Sequence, residues 1–171
     1  MTEITEATPA DAAAIALIYN ESVHAGFALW DSKEVDAVNR TLWMADRQTC
    51  GYPVLVTRDP DGTATGYASY GSFGQNVGYR YSAAVSIYIR ADQQGKGLGR
   101  RLLAALIDHA QAAGLHALVA AIDAENVGSI RLHEALGFTV NGTLPQVGTK
   151  GGTWRDLTYM TRVLNDLPPK D

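Results

Sequence analysis

Apolar positions along this chain change period repeatedly, and the changes predict an ordered series of strands and helices. Residues 3–7 read as a short strand, after which Thr8-Pro9-Ala10-Asp11 supplies an N-cap, a proline at the first helical position and an acid three residues past the cap. A helix therefore opens there and runs to about His24, with Ile15, Ile18 and Tyr19 on one face. Val35, Val38, Leu42 and Ala45 recur at helical spacing and form the apolar stripe of a second helix over 34–48. Val54 to Arg58 is a strand, Asp61-Gly62 a hairpin turn, and Ala64 to Tyr70 the returning strand. The polar, glycine-rich stretch Gly71 to Gly78 reads as a loop, and Ser82 to Ile89 as a central strand.

Leu98, Leu102, Leu103, Leu106, Ile107 and Ala110 then mark one face of a helix that Gly114 ends. Leu115 to Ile122 is a buried strand, followed by a helix from about Asn126 to Leu136 with its stop at Gly137. Two last strands flank the turn Lys150-Gly151-Gly152. The order βααβββαβαββ predicts an α/β (α+β) domain, a mixed sheet of about seven strands flanked by about four helices. Residues 1–164 form one domain, and 165–171, with Pro168-Pro169, a loose tail.

Composition narrows the function. A length of 171 residues suits one domain with a self-sufficient core, and 46% hydrophobic with 19% charged residues leaves no long disordered tract. The formal net charge of -4 gives no basic footprint, so no nucleic acid is expected as a partner. Cys50, the only cysteine, has no pairing partner in the chain and fits a reducing compartment, as a buried or indifferent thiol. The early apolar run Ala12 to Ile18 is too short to span a bilayer, so the expectation is a cytoplasmic protein with no membrane partner. No metal site is expected.

Candidate chemistry concentrates where the central strand meets the third helix: Ile87-Tyr88-Ile89-Arg90-Ala91-Asp92-Gln93-Gln94-Gly95-Lys96-Gly97-Leu98-Gly99-Arg100-Arg101. Alternate glycines let backbone amides approach a ligand closely, and the first amides of the following helix carry the positive end of its dipole. Such a junction suits phosphate oxygens, and Arg100 and Arg101 add cationic donors. A dinucleotide fingerprint would need its third glycine at Arg100, and a P-loop needs a Gly-Lys-Ser/Thr that does not occur here. What remains is Gln94-x-x-Gly97-x-Gly99. On this segment alone, a tight turn that binds nothing stays open.

That pattern resembles the acyl-CoA signature of the GCN5-related N-acetyltransferases. Asn126-x-x-Ser129-x-x-Leu132-His133-Glu134-x-Leu136-Gly137-Phe138 resembles the family's second signature, and Val147-Gly148-x-Lys150-x-Gly152-x-Trp154-x-Asp156 is similar to the subgroup acetylating phosphinothricin and methionine sulfoximine. Ile18-Tyr19-Asn20 and Gly66-Tyr67-Ala68-Ser69 agree, so the resemblance covers roughly residues 3 to 163. At ~100° per residue, Asn126 and His133 fall within about 20° of each other on one helix face. An N-cap role for Asn126, a solvated Ser129 and a surface His133 are the bland alternatives to a cofactor stripe.

The resemblance implies an acetyl-CoA-dependent N-acetyltransferase in which the amine of a small molecule, an amino acid or analogue, attacks the thioester directly; it also implies a homodimer. The amides around Ile87, Tyr88 and Ile89 would polarise the carbonyl, and Gln94, Gly95, Lys96, Gly97, Leu98, Gly99 and Arg100 would hold the donor's diphosphate. Asn126 and Ser129 would meet the pantetheine arm, with His133 beside the departing thiolate. Phe27, Trp30, Tyr79 and Arg80 are candidates for the acceptor pocket. The glutamate that the subgroup carries upstream of this strand falls on Ala84, and an arginine of the preceding loop on Gly74. The proton step then passes through water and the remaining polar groups, with His133, Tyr88 and Tyr79 as candidates and His133 preferred, or the acceptor is a different amine. A domain that binds acetyl-CoA as a sensor or scaffold is the other account.

Overall fold

The computed structural model describes residues 4–26 and 30–169. Seven strands form one sheet in the order β1-β2-β3-β4-β5-β7-β6, comprising β1 (Ile4–Glu6), β2 (Val54–Arg58), β3 (Ala64–Ser72), β4 (Ser82–Ile89), β5 (Ala117–Asp123), β6 (Thr139–Lys150) and β7 (Thr153–Val163). Four α-helices accompany them: α1 (Ala12–His24), α2 (Ala37–Thr49), α3 (Leu98–Ala112) and α4 (Val127–Glu134). Both the element order and the mixed sheet agree with the sequence pattern. Every neighbouring pair is antiparallel except β4 and β5.

Side-chain alternation along the strands divides the core into two layers. Val54, Val56 and Tyr67 pack under α1 and α2 with Ile15, Ile18 and Met44. Leu55, Ala68 and Tyr70 turn to the other face, against Leu102, Leu103, Leu106 and Ile107 of α3. The predicted face of α3 is thus the buried one. The start of α1 is fixed by Thr8, whose backbone and hydroxyl both bond the Asp11 carboxylate (2.7 and 3.0 Å). Arg58 of β2 completes the knot by pairing with Asp11.

Helix α2 departs from the predicted stripe. Val38 and Leu42 are 68% and 67% exposed, while Arg40 and Met44 are buried. The reason is cation stacking: the Arg40 guanidinium lies 4.7 Å from the Tyr19 ring centre and 5.0 Å from that of Trp43. A pattern that treats arginine as polar assigns the wrong face. Cys50, expected to be buried or indifferent, is an exposed C-cap of this helix.

The feature that positions the site is a parting of strands. β4 and β5 pair only through Ser82↔Ala117, Ala83↔Leu118 and Ala84↔Val119. β4 then follows β3 out to Gly66↔Ile89, and β5 follows β7 out to Asp123↔Leu157. Each half of the sheet keeps its own ladder, so a gap opens between them.

Candidate active site

Backbone direction decides what the gap contains. The Arg90 amide donates to Thr65 across β3 (2.9 Å), whereas the His116 and Ala117 amides reach Tyr81 from the β5 side (2.8 and 3.2 Å). Successive backbone groups of a strand point to opposite sides, so even-numbered amides of β4 turn to β3 and odd-numbered ones to β5. Beyond Ala84 the Ile87 and Ile89 amides therefore face the gap, and the Tyr88 amide is spent on β3. Of the three amides expected to polarise a carbonyl, two are placed to do so.

At the wide end of the gap, the Ile89 carbonyl accepts the Gln94 side-chain amide (3.2 Å), which ties the loop to the strand. Gly95 and Gly97 adopt φ of +75° and +78°, with nothing within 4 Å of where a Cβ would stand. Gly97 is the N-cap of α3, and no side chain caps that helix. The first-turn amides of Leu98, Gly99 and Arg100 are consequently left for a ligand. Lys96 bonds Gln93 (3.0 Å), and Arg100 is exposed. A Cβ on Gly99 would lie 3.2 Å from Leu132, so this glycine lets α3 and α4 approach. The resulting cleft of about 500 Å³ is lined by Ile87, Tyr88, Gln94, Gly97, Asn126 and Ser129, among others.

Helix α4 closes the gap from the side. Asn126 is its N-cap, accepting the Ser129 amide at 3.1 Å, which leaves its NH2 group for a ligand. His133 is not a surface residue: it is 4% exposed and meets Phe138 edge-on at 5.0 Å. Its Nδ1 lies 2.8 Å from the Ser129 carbonyl, which can only accept, so Nδ1 carries the proton and Nε2 is a bare acceptor. That Nε2 is buried without a partner. Burial holds the imidazole below its ordinary range, against a smaller opposing pull from the Ser129 carbonyl. Tyr88 is pushed up to about 12, first by burial and then by Tyr19. It stays protonated at neutral pH. A smaller cavity of about 100 Å³ joins Ser86, Ile87 and Tyr88 to Asp123, Asn126 and His133 across the gap.

An acetyltransferase (GNAT) domain model matches residues 4–159. The chain belongs to the GNAT acetyltransferase family. An L-methionine sulfoximine/L-methionine sulfone acetyltransferase of Salmonella typhimurium is 49% identical over 165 residues, 96% of each chain. An L-amino acid N-acyltransferase of Escherichia coli is 47% identical, covering 96% of this chain and 95% of that one. Among solved structures, a Salmonella typhimurium acetyltransferase with its cofactor acetyl-CoA superposes with a TM-score of 0.97. It is 47% identical and covers 100% of this chain and 98% of that one.

In this GNAT domain, residues 30 and 31 of the segment between α1 and α2 meet the β6–β7 hairpin beside the gap. The Trp30 indole donates to Asp123 (2.8 Å) and lies so close over Gly148 that any Cβ there would strike its ring. Lys150 reaches back to the carbonyls of Val23 (2.6 Å) and Asp31, latching the connection to the hairpin. Phe27 lies outside the described residues. Tyr79 and Arg80 stand in the β3–β4 connection and do not line the gap: Tyr79 meets Phe73 edge-on, and Arg80 lies over the Tyr81 ring. Tyr79 also fills the space beside Gly74, where a Cβ would come within 2.5 Å of its ring. Sequence reasoning missed Asp123, because the apolar run that marked β5 stops one residue short of it. An acid ending a buried strand was the available signal.

Proposed function

We propose that the protein transfers the acetyl group of acetyl-CoA to the primary amino group of a small L-amino acid or analogue of the methionine sulfoximine and phosphinothricin type. The observation that carries this reading is a gap holding the free amides of Ile87 and Ile89 next to an uncapped helix start. The names of the close relatives support it. The residues present suit the donor: left-handed glycines leave room above the loop amides, and Asn126 has a free donor.

Acetyl-CoA supplies a thioester carbonyl. The Ile87 and Ile89 amides stabilise the charge that develops on its oxygen. The loop amides and Asn126 fix the donor along β4, which removes much of the entropic barrier. Nε2 of His133, neutral at pH 7, takes the proton of the incoming ammonium. Ordinary values of about 8 for a chain-terminal α-amino group and 6.5 for imidazole set a lower bound of about 2 kcal/mol on this uphill transfer, and the burial of His133 adds to it. That fits easily within the barrier of about 16 kcal/mol for a turnover of ~10 per second. A C–N bond forms, the C–S bond breaks, the thiolate is protonated by the Tyr88 hydroxyl or by water, and one proton is released overall.

A homodimer in the cytoplasm belongs to the same reading. Exposed Leu144, Val147 and Trp154 on β6 and β7 support a second copy, and among the described residues no helix is long and apolar enough to cross a membrane. The test is thiol release from acetyl-CoA with a panel of amino acids, methionine sulfoximine and phosphinothricin. Release with at least one of these analogues is expected. Tight binding of acetyl-CoA without release on any acceptor would replace the enzyme with a sensor.

A further inference from the structure

Asp123 ends β5 with its carboxylate at the gap, and only 5% of the residue is exposed. Its Oδ1 accepts the Glu125 amide and its Oδ2 the Trp30 indole, both at 2.8 Å. A carboxylate offers about four lone-pair positions, so about two remain. Arg155 stands 3.9 Å from Oδ2, but its hydrogen bond goes to Glu125. Glu125 is largely exposed and screened by water, whereas the buried Asp123 carboxylate has Arg155 near it but receives no hydrogen bond from it. A buried charge in that state is costly unless a cation completes it.

A second polar group faces the same cavity. His133, on the adjoining helix, presents a buried Nε2 with no partner. The cavity of about 100 Å³ takes its walls from β4, β5 and α4. Its opposite wall carries Ile87, whose amide faces the gap.

We propose that Asp123 is the anchor for the acceptor's primary ammonium, holding it across the gap from the Ile87 amide with one N–H aimed at His133 Nε2. The ligand class is a protonated primary alkylamine, and the assignment rests on the acetyltransferase reading above. Trp30 orients the anchor, and Glu125 and Arg155 set the charge around it.

Acceptors that differ in charge test this. An amino acid found active in the panel enters as an ammonium, whereas O-methylhydroxylamine is neutral at pH 7. Asp123→Asn is expected to raise KM for the amino acid at least tenfold. Its acetyl-CoA Kd and its turnover of O-methylhydroxylamine should change less than threefold. Asp123→Glu keeps a carboxylate at this position, so it should recover part of the KM for the amino acid that Asp123→Asn loses. Equal losses on both acceptors, no effect of Asp123→Asn, or an Asp123→Glu variant no better on the amino acid than Asp123→Asn would each overturn the proposal and leave Asp123 a structural clasp. Asp123→Ser, judged by the same two acceptors, serves if the amide variant does not fold. An unaltered enzyme that turns over no amine defeats the acetyltransferase reading and this proposal with it, whereas a loss confined to the second set of results defeats only the anchor.

Discussion

Replacing Gly97 with valine separates the diphosphate site from the rest of the cleft. Gly97 holds φ +78° and ψ 3° as N-cap of α3. A non-glycine residue in that left-handed region costs roughly 1–2 kcal/mol, and a β-branched one sits at the upper end. Nothing in the protein lies within 4 Å of the added Cβ, so the cost is backbone strain rather than collision. For a domain of this size it lowers Tm by about 2–8 °C. The chain relieves the strain by rotating Gly97 out of the left-handed region, which swings the neighbouring amides off their common focus. Each hydrogen bond to a charged group contributes about 1.5–3 kcal/mol. Losing one to two of them, partly replaced by water, weakens acetyl-CoA by about 2–3 kcal/mol, on the order of 30- to 150-fold in Kd. Calorimetric titration reads this directly, with acetyl-pantetheine as the control because it carries no diphosphate. The control should weaken less than threefold. A lowered Tm with acetyl-CoA affinity unchanged would show that the diphosphate docks elsewhere. Equal losses for both donors would show that the whole cleft had collapsed.

Three further outcomes follow from buried titratable groups. His133→Gln should lower kcat by about 10²–10⁴ while the Kd for acetyl-CoA moves less than threefold, read from steady-state kinetics and titration. Because the folded imidazole titrates below its ordinary value, the unfolded chain binds that proton more readily, and stability drains away as pH falls through 6.5 toward the folded value. Urea unfolding at pH 7 and pH 5 should therefore show a smaller loss in His133→Gln than in the unaltered protein, and parallel losses would contradict a buried neutral imidazole. Asp11→Asn should cost about 2–3 kcal/mol at pH 7, since it strands Arg58 beside a buried amide. Burial raises the Asp11 carboxyl, but the Arg58 bond and the two Thr8 bonds together outweigh it and hold it below the ordinary range. The stability it adds is complete above pH 4 and fades as pH falls through the folded value, so the two proteins should converge in acid unfolding, and a constant difference down to pH 2 would exclude the ion pair as its source.

What the sequence discloses and what it conceals divide along one physical line. The face of α3 is legible because six aliphatic side chains repeat at its period and nothing else competes for that burial. The loop before it is legible because left-handed φ at Gly95 and Gly97 admits few residues but glycine. In α2 the same counting fails, since Arg40 is buried by two aromatic rings that come from α1 and from its own next turn, and neither ring is visible to a periodicity. His133 shows the same limit more sharply. Its helical position relative to Asn126 can be computed from spacing, but whether it is a charged surface group or a buried neutral acceptor depends on Phe138 and on the Ser129 carbonyl. Asp123 depends on residues still farther away in the chain, because Trp30 and Arg155 reach it only after the β6–β7 hairpin has folded against the α1–α2 connection. Local geometry, set by φ and by nearest neighbours, is therefore written in the chain at the donor end of the site. The acceptor end is written in contacts between distant segments, and a motif cannot spell those. It follows that variants of this protein with altered acceptors should arise from changes around Trp30, Asp123 and Gly148 rather than in the glycine loop.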